Sequence, residues 1–393
     1  MYTNQYKLLN FLAMINTDAF ITSTSKFLPN QPVLNDDMER FLGLINSKPS
    51  RVRRIVLRQN GIKCRYYALD ENQKITHTNA ELALLSIKKL FPDGTIPDDI
   101  DVLACATGNP DQLLPSHASM VHGLMKNRPM ELYSSSGVCL TCLQALKISY
   151  MSVVTRQSKK AICSTSELAS PTLLSKNYEE EYEYCTQVGK DPYMAFEKDF
   201  LRFMLSDGAS AVLLSDKQNE NGLSFKIEWI EMTSYANELP TCMFMGAELR
   251  DDGELISWKE FESQELINRS VLTVKQDIRL LKPNIIRYWV DHIELCLDKY
   301  GLDSSEIDYV IPHVSSMFFY GKLAEEIEAR NLDLGTQKWF TNLTEIGNIA
   351  SASIFAALDD LLISGRLKAN DKVLLLVPES GRFSYGTVLL TVV

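Results

Sequence analysis

The sequence predicts a layered α/β protein made of two stacked copies of one βα unit. Three observations carry that expectation. Apolar, β-rich runs alternate with amphipathic helical stretches along the chain. Several of those runs are apolar at consecutive positions, as strands covered on both faces require. The third is an internal repeat of four elements in one order. A helix followed by Asp99-Ile-Asp-Val-Leu103 matches a helix followed by Glu306-Ile-Asp-Tyr-Val310. Each half then opens a helix rich in small residues, at Cys139 and at Asn348. Each of those helices leads into an apolar strand, Lys159-Lys-Ala-Ile-Cys163 or Asp371-Lys-Val-Leu-Leu375, and each half closes on a Gly-initiated strand, Asp207-Gly-Ala-Ser-Ala-Val-Leu-Leu214 or Tyr385-Gly-Thr-Val-Leu-Leu390.

Taken in chain order, the first half is expected to run helix Asn79–Phe91, strand Asp101–Thr107, helix Cys139–Thr155, strand Lys160–Thr165 and strand Ala209–Ser215. The second runs helix Ile285–Tyr300, strand Tyr309–Pro312, helices Leu323–Arg330 and Ile349–Ser364, and strands Lys372–Val377 and Gly386–Val393. Gln218–Gly222 is polar and turn-forming, which places the boundary between halves 1–218 and 219–393 there. The segment Lys176–Phe200 has no counterpart in the second half. Its interleaved acids and tyrosines, from Asn177-Tyr-Glu-Glu-Glu-Tyr-Glu-Tyr184 onward, suit a solvated insertion or a lid or tunnel wall against an apolar chain.

Composition narrows the function classes. The 393 residues are too many for one small core. Forty basic against fifty acidic residues, a net charge of −10, disfavour a general nucleic-acid binder or a polybasic membrane surface. A local basic patch for an acidic partner remains open. Eight scattered cysteines are no disulfide framework and fit a reducing compartment. The apolar piece Leu8–Ile15 is too short to span a bilayer and lacks a charged flank, so no signal peptide is expected. These features lead to the expectation of a cytoplasmic protein with neither nucleic acid nor membrane as partner.

Three residues are candidates for chemistry. Cys139 follows the small-residue turn Ser134-Ser-Ser-Gly-Val138 and begins a helical pattern. A thiol at a helix N-terminus feels the positive end of the backbone dipole, which favours the nucleophilic thiolate; the bland alternative is a packed cysteine. Cys139-Leu-Thr-Cys142 also spells CxxC, but it lacks the context of a redox site and the two further ligands of a zinc site. Cys142 is expected in the core. His313 ends the strand Asp308-Tyr-Val-Ile-Pro-His313, and active groups gather at the carboxyl ends of parallel strands. Asn348 opens Gly347-Asn-Ile-Ala-Ser-Ala-Ser353, whose small residues permit close approach, although an asparagine there is also an ordinary N-cap. His77 lies in a polar loop, His292 falls mid-helix, and His117 and His122 are assigned to packing.

With Cys139, His313 and Asn348 in that order, the chain resembles the thiolase-fold ketosynthases, specifically the ketoacyl carrier-protein synthase III branch. Ala106-Thr-Gly-Asn-Pro-Asp-Gln-Leu-Leu-Pro-Ser116 is similar to that branch's "ATTTPDYLFPS" loop, and Leu205-Ser-Asp-Gly-Ala-Ser-Ala-Val212 to its "FGDGAGAV". Ile21-Thr-Ser-Thr-Ser-Lys-Phe-Leu-Pro29, Asn35-Asp-Asp-Met38, Asn60-Gly-Ile-Lys63, Pro312-His313, Gly347-Asn348 and Phe383-Ser-Tyr-Gly386 resemble further segments in order. The resemblance implies the thiolase fold, two pseudo-repeated βα halves in a five-layered αβαβα arrangement. It also implies a Cys139 acyl-enzyme, with His313 and Asn348 stabilising an enolate and the N–H groups of Cys139 and Gly381 forming the oxyanion hole. No cofactor or metal is called for. The implied partners are acyl carrier protein or other acyl thioesters and a second copy of the chain, with the helix after Pro115 near the dimer face.

Departures from the branch refine the expectation. Leu140-Thr141-Cys142 replaces Ala-Gly-Phe, Val314-Ser315-Ser316 replaces "QAN", and Pro378-Glu-Ser-Gly-Arg382 replaces the glycine-rich "GFGGG". Ile55 and Gln59 stand where the branch grips coenzyme A, which favours a carrier-protein substrate. Arg51, Arg53, Arg54 and Arg58 form a basic stretch that could dock an acidic carrier or simply be a solvated face. With the Tyr-rich insertion and Gly246-Ala-Glu-Leu-Arg-Asp-Asp-Gly253, the chain most resembles the dialkylresorcinol-forming (DarB-type) ketosynthases. These join a β-ketoacyl and an α,β-unsaturated acyl thioester into a dialkylcyclohexanedione. The competing expectations are a decarboxylative β-ketoacyl carrier-protein synthase III of fatty-acid initiation and a catalytically inactive thiolase-fold partner protein.

Overall fold

A computed structural model of the chain describes residues 17–187, 200–250 and 252–393. The apolar piece Leu8–Ile15, residues 188–199 of the insertion and Asp251 lie outside the described residues.

Nine strands form one hydrogen-bonded sheet: β1 (Phe20–Phe27), β2 (Val102–Thr107), β3 (Glu131–Ser136), β4 (Lys160–Glu167), β5 (Gly208–Ser215), β6 (Phe225–Ser234), β7 (Tyr309–Pro312), β8 (Lys372–Glu379) and β9 (Ser384–Val392). Their order is β7-β8-β9-β6-β1-β5-β4-β2-β3. From β1 outward, β5 and β4 pair antiparallel in turn and β2 joins β4 in parallel. From β6 outward, β9 and β8 pair antiparallel and β7 joins β8 in parallel. The two series are the same motif, with β3 added in parallel beyond β2. They meet through only two residue pairs, Phe20↔Lys226 and Ile21↔Phe225.

Six helices complete the layers: α1 (Asn79–Lys88), α2 (His117–Met125), α3 (Thr141–Val154), α4 (Ile278–Tyr300), α5 (Met317–Ala329) and α6 (Ser353–Ile363). Strand periodicity explains how they are placed. In β2, Val102, Ala104 and Ala106 share a core cluster with Leu143 and Leu146 of α3 and Phe355 and Leu358 of α6. The alternate residues Leu103 and Cys105 pack instead with Ala83 and Ile87 of α1 and Val121 of α2. In β8, Val373, Leu375 and Val377 face the central helices, whereas Leu374 and Leu376 join Trp289 and Ile293 of α4 and Leu323 of α5. Two apolar faces per strand produce the uninterrupted apolar runs of the sequence and the αβαβα layering. Each Val, Leu, Ile or Phe among these side chains, fully buried, contributes about 1.5–3 kcal/mol.

The structure moves several expected boundaries. The helix expected from Cys139 starts at Thr141, leaving Cys139 and Leu140 in the preceding turn. The one expected from Leu323 starts at Met317, where the Ser316 side chain accepts from the Phe319 amide. The one expected from Ile285 starts at Ile278, where Asp277 accepts from the amides of Arg279 and Leu280. A 3₁₀ turn at Ala350–Ala352 precedes α6. β1 covers most of the Ile21–Pro29 segment, which the family resemblance implies is the opening strand, whereas two further strands were not expected. β3 is a half-exposed edge strand of mostly polar residues, and it takes three residues from the expected turn at Ser134. β6 carries charges on its open face.

Candidate active site

Cys139 is delivered by a strand, a turn and a helix. β3 ends at Ser136, and Gly137 then takes φ 154°, where a Cβ would sit 2.9 Å from Thr141 Cγ2. Only glycine permits that close return of the chain. The turn is fastened by Thr141 Oγ1 donating to the Val138 carbonyl at 2.6 Å and by the Leu140 amide donating to Glu379 Oε2 at 3.3 Å. Cys142 lies on the first turn of α3, buried, its thiol turned back to the Cys139 carbonyl at 3.0 Å. It is a core residue.

Other forces oppose the helix dipole at Cys139. Burial pushes its thiol well above the ordinary range, and the nearby Glu379 carboxylate, Cys142 and the Glu167 carboxylate push it further. Desolvation and like charge thus work against the helix start and favour the neutral thiol. Both carboxyls are themselves raised by burial. Glu167 accepts from the Gly108 amide at 3.0 Å, Asn109 Nδ2 at 3.0 Å and Ser351 Oγ at 2.5 Å.

His313 follows β7, its amide donating to the Leu376 carbonyl of β8 at 2.8 Å. It is 6% exposed, and Nδ1 is buried without a hydrogen-bond partner. Desolvation lowers its pKa to about 4, so the ring is neutral at physiological pH. Asn348 is 2% exposed and is held between the halves: its amide donates to the Met204 carbonyl and its carbonyl accepts from the Ser206 amide at 2.9 Å. Its Oδ1 accepts from the Ala350 amide at 2.9 Å, which leaves the side-chain NH₂ as the available donor. Gly347 before it takes φ 74°, with Ser206 Cβ only 2.9 Å from where a Cβ would stand. A side chain there would push Asn348 off the first half.

Cys139, His313 and Asn348 line one cavity of about 310 Å³. Its wall is mostly apolar, with Ala169, Met204 and Leu205 from the first half and Met243–Met245, Val274, Leu281, Ile285, Trp289 and Phe319 from the second. Glu167, Val314, Ser315, Pro378 and Ser380 also reach it. Gly381 does not line the cavity: it packs behind Val138, and its carbonyl accepts from the amides of Cys242 and Met243. The loop's cavity-facing members are therefore Pro378 and Ser380. None of the described residues of the insertion, whose helix spans Glu179–Gln187, lines the cavity. The wall from 243 to 289 was not legible in the sequence, because it comes from irregular segments and one helix face that carry no motif. Glu379 had a signal, its place in the altered glycine-rich loop.

The remaining candidates lie elsewhere. His117 Nε2 pairs with Ser166 Oγ at 2.9 Å and His292 Nε2 with Cys296 Sγ at 3.5 Å, both buried. His77 Nδ1 pairs with Thr76 Oγ1. On the helix Arg53–Asn60, Arg53 is held by Asp36 and Glu39, whereas Arg54, Arg58, Ile55 and Gln59 are exposed, as is Arg51. Among the described residues, no cluster of His, Cys, Asp or Glu could hold a metal ion and no helix is long and apolar enough to cross a membrane.

Comparison with known proteins adds an independent line. A family model for the C-terminal part of 3-oxoacyl-[acyl-carrier-protein] synthase III matches residues 297–392. The β-ketoacyl-[acyl-carrier-protein] synthase III of Clostridium novyi is 24% identical over 371 residues, covering 94% of this chain and 98% of its own. That of Natranaerobius thermophilus is 25% identical over 384 residues, covering 95% and 99%. Among solved structures, the tetronic acid condensing enzyme AbyA1 superposes with a TM-score of 0.74 at 18% identity, covering 95% of this chain and 99% of its own. A structure of OleA from Xanthomonas campestris gives 0.71 at 18%, covering 95% and 98%. The superpositions establish the thiolase fold. The sequence matches, which run through both halves, make the chain similar to the ketosynthase III enzymes and support an acyltransferase that forms carbon–carbon bonds.

Proposed function

We propose that this enzyme joins a β-ketoacyl thioester and an α,β-unsaturated acyl thioester through a Cys139 acyl-enzyme, and closes them into a dialkylcyclohexanedione, the precursor of a dialkylresorcinol. The observation that carries the reading is where the departures from the synthase III branch fall. Val314, Ser315, Pro378 and Ser380 all stand in the cavity wall beside Cys139, His313 and Asn348. Residues altered at the reacting centre alter the substrate. The methionines at 243 and 245 make that wall adaptable to two chains.

In this mechanism Cys139 Sγ attacks a thioester carbonyl, and the carrier thiol leaves with the cysteine's proton. Sulfur exchanges for sulfur, so no oxidant or external base is consumed. The second thioester then places its carbonyl by the neutral His313 ring and the Asn348 NH₂. Both are uncharged donors in a desolvated site, where they stabilise an enolate oxygen more strongly than water does. A Claisen condensation forms a carbon–carbon bond at the enoyl carbonyl and expels its thiol, and a Michael addition consumes the double bond and closes the ring. Hydrolysis of the thioester left from the β-ketoacyl partner and loss of its carboxyl as carbon dioxide then give the dialkylcyclohexanedione. An acyl carrier protein delivers the substrates, and two copies of the chain form the active dimer. Leu113 and Leu114, 76% and 85% exposed ahead of α2, supply apolar surface for that contact.

The test is incubation with β-ketoacyl and 2-enoyl carrier proteins, read by mass spectrometry of the organic extract. A dialkylcyclohexanedione carrying one alkyl group from each chain, and one carbon short of their sum, is expected. The names of the sequence relatives favour a second reading, decarboxylative condensation with malonyl carrier. Carbon dioxide released from malonyl carrier, with no ring product from the non-malonyl pair, would select it.

A further inference from the structure

The carboxylate of Glu379 has no place in the scheme above, yet it is built into the nucleophile's turn. It stands at the end of β8, where the glycine-rich loop of the synthase III branch is replaced by Pro378-Glu-Ser-Gly-Arg382. From there it crosses to the first half of the molecule. Its Oε2 accepts from the Leu140 amide at 3.3 Å, and the Val138 amide is a second donor. The other oxygen lies 3.2 Å from the position a Cβ on Gly381 would take, so the lack of a side chain at 381 makes room for it. The amides on either side of Cys139 are thus engaged by a fixed anion at the start of the 14-residue helix α3. That is where a helix dipole otherwise steadies a thiolate.

We propose that Glu379 is a positioning residue that braces the 137–140 turn, keeps Cys139 a neutral thiol in the free enzyme, and makes its thiolate a poor leaving group. The consequence falls on the acyl-enzyme. An S-acyl cysteine carries no charge and is not repelled by the carboxylate, whereas expelling the chain to water or back to a carrier regenerates a thiolate beside it. A leaving group of higher pKa departs more slowly. Glu379 therefore prolongs the loaded state against hydrolysis and back-transfer while the second chain is delivered, and the same penalty falls on any condensation step that expels Cys139. Three groups act on the thiol, Glu379 from the end of β8, Cys142 from α3 and Glu167 from the end of β4, and His313 from the end of β7 lines the same cavity. Of the two carboxylates, Glu379 contributes more to raising the thiol, and Glu167 is engaged by Gly108, Asn109 and Ser351.

This inference rests on Cys139 being the acylated residue but not on which chains are joined. The test is the pH dependence of iodoacetamide alkylation at Cys139, resolved by peptide mass spectrometry, in wild type and Glu379→Gln. The glutamine keeps an acceptor for the Leu140 amide and removes only the charge. The alkylation midpoint should fall by about one pH unit. At pH 8 the rate should rise about threefold rather than tenfold, since the less basic sulfur is also less nucleophilic. Hydrolysis of a preloaded acyl-enzyme should quicken by a similar factor. If Glu379→Gln does not fold, Glu379→Ser removes the charge with a smaller side chain. An unchanged or higher midpoint in either folded variant overturns the proposal. Failure of any acyl thioester to load Cys139 would instead overturn the acyl-enzyme itself, a separate outcome.

Discussion

The two sides of the cavity are built from opposite electrostatics. On the first-half side, a turn presents a thiol flanked by two carboxyls, the buried Glu167 and the half-buried Glu379. On the other, a strand end and a helix start present an imidazole and a carboxamide, both neutral. In the mechanism we propose, charge governs the covalent step, because the like-signed carboxyls oppose a free thiolate, and preorganised neutral dipoles that need no ionisation serve the carbon–carbon step. The halves are also stitched together around the cavity: the nucleophile turn leans on Glu379, Asn348 leans on residues 204–206, and Ser351 bonds to Glu167. Neither side holds its geometry alone.

The largest expected effect comes from deleting one side outright. Cys139→Ala should remove all covalent acyl loading, seen as no mass gain on the intact protein, while the melting temperature stays within a few degrees. A variant that still loads would show that another cysteine is the nucleophile. Deleting the other side should split the reaction. His313→Ala and Asn348→Ala should each lower product formation by about 10²–10³, the cost of one oxyanion donor, yet leave loading of Cys139 detectable. Equal loss of both steps would erase the distinction between the sides.

A third test uses protons. His313, held neutral down to about pH 4, predicts that condensation by preloaded enzyme stays flat between pH 5 and 7. Protonation, and loss of rate, should come only as pH falls through the lower value. An acid limb centred near 6.5 would mean that the ring is solvated in the working enzyme. The smallest effect is expected far from the cavity. Reversing the exposed Arg54 and Arg58 to glutamate should raise KM for carrier-bound substrate about three- to tenfold at low salt. Turnover of small thioesters lacking the carrier should not change, and the effect should fade as salt is raised.

Much of this arrangement was already legible in the sequence. The doubled βα unit showed as recurring element order, because strands buried on both faces have no choice but to be apolar throughout. Cys139, His313 and Asn348 stood out because each occupies a strand end or helix start where the chain must turn tightly. β3 and β6 escaped notice since an edge strand and a half-solvated strand carry polar residues that mask their periodicity.

Sequence alone determined the layers and singled out the three side chains that line one cavity. The tertiary structure decided the charges around Cys139 and the cavity's outer wall. A thiol's ionisation depends on burial and on charges brought from residues more than two hundred positions away, Glu379 above all. That wall is assembled from 243–245, 274 and α4, segments with no shared pattern until the fold puts them side by side. Local propensity is written in neighbouring residues, whereas a charge crossing between two halves exists only once they have packed.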